Sequence, residues 1–516
     1  MWTLISKAAR WSAALLALML VIFLGARIYL SERGPPLDLW HLYAPAEFSA
    51  EEIEATDWAG FTAKEDALFR SLAENVGQKL TPQERVPFNR YFEESPVWPG
   101  RFARDWNRSY IMEPAGPPAG AVVLLHGLTD SPYSLRRIAA HYRDRGFVAV
   151  GIRLPGHGTT PAALTEADWR QWLAATRLSV REARRRAPAP LPLDIVGFSN
   201  GGALAMKYAL DAAADGGLAQ ADRLILVSPM VGVTRFARFA GLAGLPAALP
   251  AFAKAAWLAI MPEFNPFKYN SFPVNGARQA YRLTDALSRQ MRAAEREGTL
   301  GRLPPVLTFQ SVMDATVNTR SVLTDLYDHL PENGGELVLF DVNRNEKFGP
   351  LLRASADARL SEIAPPRSRT YRLAIVENAG KGTDEAQERV VEAGQTDART
   401  RRLGLFYPKG VFSLSHVALP FPLTDQLYGL TPDGSEDFGV TLGALAPRGE
   451  RGALIVSLDA LLRMSSNPFF PYLLERIDAF TGLPAAPAES ETRTAPPPAP
   501  PPPARSRAPK RSGRQT

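Results

Sequence analysis
Cysteine is absent from this 516-residue chain, and histidine is scarce, confined to His41, His126, His141, His157, His329 and His416. Neither His-x-x-x-His nor His-Glu-x-x-His occurs, so the chain offers no recognisable metal site. Without cysteine a lipoprotein anchor is excluded, and the composition fits an oxidising compartment without requiring one. Charge is nearly balanced. Lys+Arg exceeds Asp+Glu by 59 − 53 = 6, and Thr492 to Thr516 alone holds six basic residues and no acidic one. The remaining residues are therefore formally neutral, and the basic character belongs to the tail. No basic segment bearing aromatics accompanies the rest of the chain, which argues against nucleic-acid binding.

Long apolar runs are also few, and the one that stands out is N-terminal. Trp11 to Ala26 is sixteen residues without a charge, preceded by Lys7 and Arg10 and followed by Arg27. With Arg27 snorkelling to the interface, residues 9–30 reach across a bilayer core of about 30 Å. A cleaved signal peptide is the competing reading, but no small-x-small cleavage site follows the run. The expectation is a single-pass anchor behind a basic segment, 1–8, with the bulk of the chain on the extracytoplasmic (periplasmic) side by the positive-inside rule. At the other end, Pro496 to Pro503 is almost pure proline, and residues 484–516 read as a disordered, proline-rich basic tail.

Between these ends the length suits one large domain with insertions. Residues 31–106 form an N-terminal extension with acidic helix-like stretches at 51–56 and 63–74. From Ala121 to Pro229, short apolar strand-like runs alternate with helix-like segments, the pattern of a parallel sheet covered on both faces. Within it, Leu191 to Val196 drives into Gly197-Phe-Ser199-Asn-Gly201 and then a helix from 202 to 214. So tight a turn forces Ser199 into a strained backbone conformation, with Gly197 and Gly201 flanking it because a Cβ there collides with the neighbouring elements. An ordinary glycine-flanked turn is the bland alternative.

Three motifs in register carry a resemblance: His126-Gly-Leu-Thr-Asp-Ser131, Leu154-Pro-Gly-His-Gly158 and the Gly197 to Gly201 turn. Through them the chain resembles the α/β-hydrolase superfamily, its carboxylesterase and monoacylglycerol-lipase-like branches in particular. The likeness covers roughly residues 107–340 and resumes near 403. It implies an α/β-hydrolase domain over 107–483, with a cap insertion at 231–300 and a second insertion at 342–402.

The resemblance also implies a Ser-Asp-His triad. Ser199 is the nucleophile. His126 and His157 belong to loop motifs that the family uses structurally, His141 and His329 fall in or near helices, and His41 follows the membrane segment. His416 is left as the base, on a loop after the sheet strands, where the family places it; a hydrogen-bonded loop histidine is the alternative. Asp314 ends the strand-like run Pro305 to Val312 and is the triad acid, with Asp341 as the rival, because the hundred residues between Asp314 and His416 exceed the usual connection. The oxyanion hole falls to the backbone N–H groups of Leu128 and Asn200. No cofactor is needed for acyl transfer to water.

The expectation is a membrane-anchored serine hydrolase that cleaves acyl or lipid-like esters. Phe236 to Phe264, apolar apart from Arg238, Lys254 and Glu263, is either a plain cover for the sheet or an acyl-binding lid held near the bilayer. Rival readings are an acyltransferase or thioesterase on the same triad, and an inactive envelope scaffold that recruits partners through the tail. Acyl length and oligomeric state are open.

Overall fold
The computed structural model describes residues 2–232, 240–345, 367–443 and 464–483. The expected tail, the first part of the cap (233–239) and part of the second insertion (346–366) lie outside the described residues.

The chain alternates strands and helices because short, mostly apolar runs are punctuated by turn residues and by amphipathic helices. The strands are β1 Tyr110–Met112, β2 Gly120–Leu125, β3 Phe147–Ile152, β4 Leu193–Phe198, β5 Arg223–Val227, β6 Trp257–Ala259, β7 Phe272–Pro273, β8 Val306–Ser311, β9 Glu336–Phe340, β10 Arg372–Asn378, β11 Glu385–Val391 and β12 Ala398–Phe406. All but β6 and β7 join one sheet in the order β1-β3-β2-β4-β5-β8-β9-β10-β11-β12. From β3 to β10 every pairing is parallel, while β1 at one edge and β11 and β12 at the other run antiparallel to their neighbours. This is the α/β-hydrolase architecture expected from the motifs.

Side chains alternate across the sheet and divide two cores. Val123, Leu125, Val148, Val150 and Ile195 pack into one, and Val122, Leu124, Ala149, Val196 and Phe198 into the other. Burial on both faces explains why central strands such as β2 and β3 read as unbroken apolar runs rather than alternating ones. Seven longer helices matter here: α1 Trp2–Glu32, α2 Trp58–Asn75, α3 Arg136–Arg143, α4 Trp169–Arg186, α5 Asn200–Ala214, α6 Val274–Arg296 and α7 Phe470–Thr481. Residues of α4, α5 and α6 cover the first face, and those of α3 and α7 the second. Helix α4 begins at Asp168, whose side chain accepts from Arg170 N–H in a capping box with Gln171, and it ends in three arginines that suit the helix dipole.

Two expected boundaries change. The interval 231–300 is not cap throughout: in α6, Leu283, Leu287 and Met291 join the main core, so this helix belongs to the layer covering the sheet. The part above the sheet ends near β7. In the second insertion, β10 pairs parallel to β9 (Leu373 opposite Leu337, Ile375 opposite Leu339) and the β11–β12 hairpin continues the sheet outward. Residues 372–406 therefore extend the sheet. The N-terminal extension packs on the same body, with Phe48, Ile53 and Phe61 in the main core and buried Arg153 paired to Glu47 and Glu65 at 2.6 and 2.9 Å.

Buried Asp194 on β4 yields a stability prediction. It accepts from Tyr142 Oη at 3.2 Å and lies 3.7 Å from Arg223, yet burial pushes its carboxyl up to about 7. An unfolded aspartate loses its proton near pH 3.9, so between about pH 4 and 7 the unfolded state ionises first and stability falls as pH rises. Asp194→Asn removes this penalty. Its thermal midpoint should exceed wild type at pH 8, with a ceiling of about 4 kcal/mol at roughly 1.4 kcal/mol per pH unit, and the advantage should vanish towards pH 4. Equal pH slopes in thermal unfolding of the two proteins would contradict it.

Candidate active site
The parallel strands deliver the site residues to one end of the sheet. Register sets Leu125 of β2 opposite Gly197 of β4, so the turn after β2 and the turn after β4 emerge side by side. Ser199 sits between β4 and α5 with φ 54° and ψ −113°, a conformation that a non-glycine residue adopts only under strain. Backbone bonds lock it: Ser199 N–H donates to Val227 O at 2.9 Å, and Met230 N–H donates to Ser199 O at 2.9 Å. The flanking glycines are steric necessities. A Cβ at Gly201 would lie 1.9 Å from Leu125 O, and one at Gly197 would lie 2.4 Å from Gly201 O.

The turn after β2 approaches just as closely. A Cβ at Gly127 would stand 3.3 Å from Ser199 Cβ, and Leu128 is the next residue of this turn. His126 fixes this turn, its Nε2 accepting from Leu154 N–H at 3.0 Å while Nδ1 bonds Gly127 O at 2.9 Å. Asn200 opens α5, so its N–H has no carbonyl within the helix to donate to.

His416 and Asp314 meet although 102 residues separate them, with Nδ1 to Oδ2 at 2.8 Å. Asp314 Oδ1 accepts from Thr316 and Val317 N–H at 2.8 and 2.9 Å, and Gln310 Nε2 donates to Oδ2 at 3.2 Å. Burial alone would raise this carboxyl, but the hydrogen bond and charge of His416, with the two N–H groups, outweigh it and hold it below the usual carboxylate range. Asp341 points elsewhere: it accepts from Arg344 Nε at 2.9 Å, and burial raises it. The His416 ring stacks on Phe198, the residue before the serine, with centroids 5.3 Å apart. Among the described residues no hydrogen bond joins Ser199 Oγ to His416.

The three side chains are buried. Ser199, Asp314 and His416 are 4, 5 and 5% exposed, so all three are shielded from bulk water. The return leg of the cap lies on the turn after β2: Tyr269 N–H donates to Thr129 O at 2.8 Å, and Phe267 stacks on Tyr133 at 4.3 Å. Among the described residues no group of three or more His, Asp or Glu could hold a metal ion.

Other histidines have structural partners. His157 bonds the carbonyls of Leu154 and Pro155, His141 pairs with Asp478 on α7, and His329 with Glu295 on α6. His41 is more surprising. It is buried, with Nε2 bonded to Ser271 Oγ of the cap at 2.9 Å and its ring edge-on to Trp257. Sequence reading also missed Asp425. Its carboxylate accepts from Arg136 Nη1 at 2.8 Å and Tyr133 Oη at 2.9 Å, fully buried, and so ties the segment after His416 to the segment after the Leu128 turn. Arg136 lies in an amphipathic helix whose sequence gives no sign that this arginine faces inward.

Residues 116–344 match a family described as serine aminopeptidase, S33. A thermostable monoacylglycerol lipase from Bacillus sp. (strain H-257) is 30% identical over 92 residues, which is 18% of this chain and 35% of that enzyme. The chain thus matches about a third of the length of that curated relative. Among solved structures, a soluble variant of monoglyceride lipase from Saccharomyces cerevisiae is similar over 45% of this chain and 81% of its own, at 16% identity and a TM-score of 0.35. A monoacylglycerol lipase from Paleococcus ferrophilus is similar over 45% and 86%, at 17% identity and a TM-score of 0.33.

Proposed function
We propose that this chain is a serine hydrolase cleaving carboxylic esters by way of an acyl-enzyme, a reading supported by the similarity of residues 116–344 to the serine aminopeptidase S33 family. The observation that carries the reading is the Asp314–His416 hydrogen bond formed beside the strained Ser199 turn. In the proposed reaction His416 Nε2 removes the Ser199 proton as Oγ attacks the ester carbonyl. Asp314, on Nδ1, holds the ring in the tautomer that leaves Nε2 free to accept that proton. The N–H groups of Leu128 and Asn200 bind the oxyanion. When the tetrahedral intermediate collapses, His416 returns the proton to the departing alkoxide, and water then repeats the sequence on the acyl group.

The proposed substrates are lipid-like esters. From Ala240 to Met261 only Lys254 is charged, and Leu242, Leu245, Leu249 and Leu258 stand exposed on this cap. Helix α1 is long and apolar enough from Arg10 to Glu32 to cross a membrane, and we read it as a retained anchor with the hydrolase domain on the extracytoplasmic side.

A fluorophosphonate probe on the detergent-solubilised protein, with the adduct mapped by mass spectrometry, tests the nucleophile, and an adduct on Ser199 is expected. Turnover should then rise along an ester series from acetyl to long acyl chains. A probe that labels another residue overturns the mechanism, and strict preference for acetyl overturns the substrate class.

A further inference from the structure
The anchor helix does not simply lead away from the hydrolase domain. In its last turns Leu24, Arg27 and Ile28 are half-buried and Ser31 is buried, at spacings of three, one and three residues, while Phe23, Tyr29 and Leu30 remain exposed. One face of the helix end is therefore packed, and what it packs on is the cap segment Pro250–Ala256.

The polar contacts are reciprocal. Arg27 Nε donates to Ala243 O at 3.3 Å, and Nη2 donates to Ala255 O at 3.2 Å and to Trp257 O. This differs from the snorkelling expected of Arg27: its guanidinium serves carbonyls of the cap. In return, Lys254 Nζ of the cap donates to Glu32 O and Gly34 O at 3.3 and 3.1 Å, where the helix ends and its carbonyls need donors. A cation from each partner thus satisfies carbonyls of the other. A segment destined for cleavage would take these partners with it.

With Lys254 turned to the helix end, the rest of this cap segment offers the surroundings no charge. Leu242, Leu245 and Leu249 are 37, 50 and 60% exposed, beside a helix built to lie in lipid. Apolar side chains next to a span belong in the headgroup and acyl boundary of the bilayer.

We propose that Arg27 and Lys254 clasp the cap to the anchor helix, so that the anchor seats the cap's leucine face in the membrane surface instead of serving as a plain tether. Arg27 is then a positioning residue for the cap. The proposal rests on the anchor reading above, and the experiment separates the two.

The chain has no cysteine, so Leu249→Cys provides a single labelling site for an environment-sensitive fluorophore. The full-length protein is reconstituted in vesicles of phosphatidylcholine with phosphatidylglycerol and floated on a density gradient. The label should then be quenched by lipid-borne nitroxide and protected from aqueous iodide. Adding Arg27→Ala and Lys254→Ala should leave flotation and turnover of a soluble short-chain ester intact, while iodide gains access and hydrolysis of a vesicle-embedded ester falls several-fold. A label that iodide quenches fully in the floated protein with both cations present overturns the clasp alone, as does a label unmoved by their loss. A protein that fails to float overturns the anchor reading and the clasp with it.

Discussion

Ser199→Ala should fold normally and turn over esters about a million-fold more slowly than the parent, the scale seen when a serine nucleophile is removed. The structure explains why the change is a clean one. Alanine keeps the Cβ that the turn already accommodates, and backbone bonds to Val227 and Met230, not the hydroxyl, hold residue 199 at φ 54°. What disappears is Oγ and with it the acyl-enzyme. Steady-state turnover of a chromogenic ester, with circular dichroism and thermal unfolding as the control for folding, checks this. Turnover within tenfold of the parent in a folded sample would falsify the nucleophile assignment.

The two acidic candidates should separate as sharply. Asp314→Asn should lower kcat by about 10³ to 10⁴, because an amide in place of the carboxylate can donate to Nδ1, which selects the wrong tautomer and no longer stabilises the imidazolium. KM should change far less. Asp341→Asn should leave kcat within a few-fold, since that carboxylate faces Arg344 and lies off the His416 ring. Both variants keep side-chain volume, so differences in folding should not cloud the comparison. If Asp341→Asn proved the slower enzyme, the roles assigned to the two aspartates would have to be exchanged.

Local chemistry was readable in the sequence because its requirements are local. The Ser199 turn advertises itself since no other residue fits where Gly197 and Gly201 stand, with backbone atoms 2.4 and 1.9 Å from any added Cβ. The parallel sheet is legible for a similar reason: burial on both faces compels strands such as Ala121 to Leu125 to be apolar throughout. Pairing over distance is another matter. Residues 371–377 look like a strand, but nothing in them says that they align with β9, because strand register depends on a partner more than thirty residues away. The choice between Asp314 and Asp341 is of the same kind, decided by which strand end faces the His416 loop. The partners of Arg27 are not legible in the sequence because a cation at the end of an apolar helix has two outlets, water or protein carbonyls, and only the packing of the cap distinguishes them.

The sheet extension between β9 and His416 also sets an order in time. A ribosome adding 5–20 residues per second needs roughly 5–20 s to travel the 102 residues from Asp314 to His416. Throughout that interval the emerging polypeptide already carries Ser199 and its glycine turn but has no histidine at Asp314. Activity would switch on only after β10, β11 and β12 have been synthesised, long after the apolar N-terminal helix has left the ribosome.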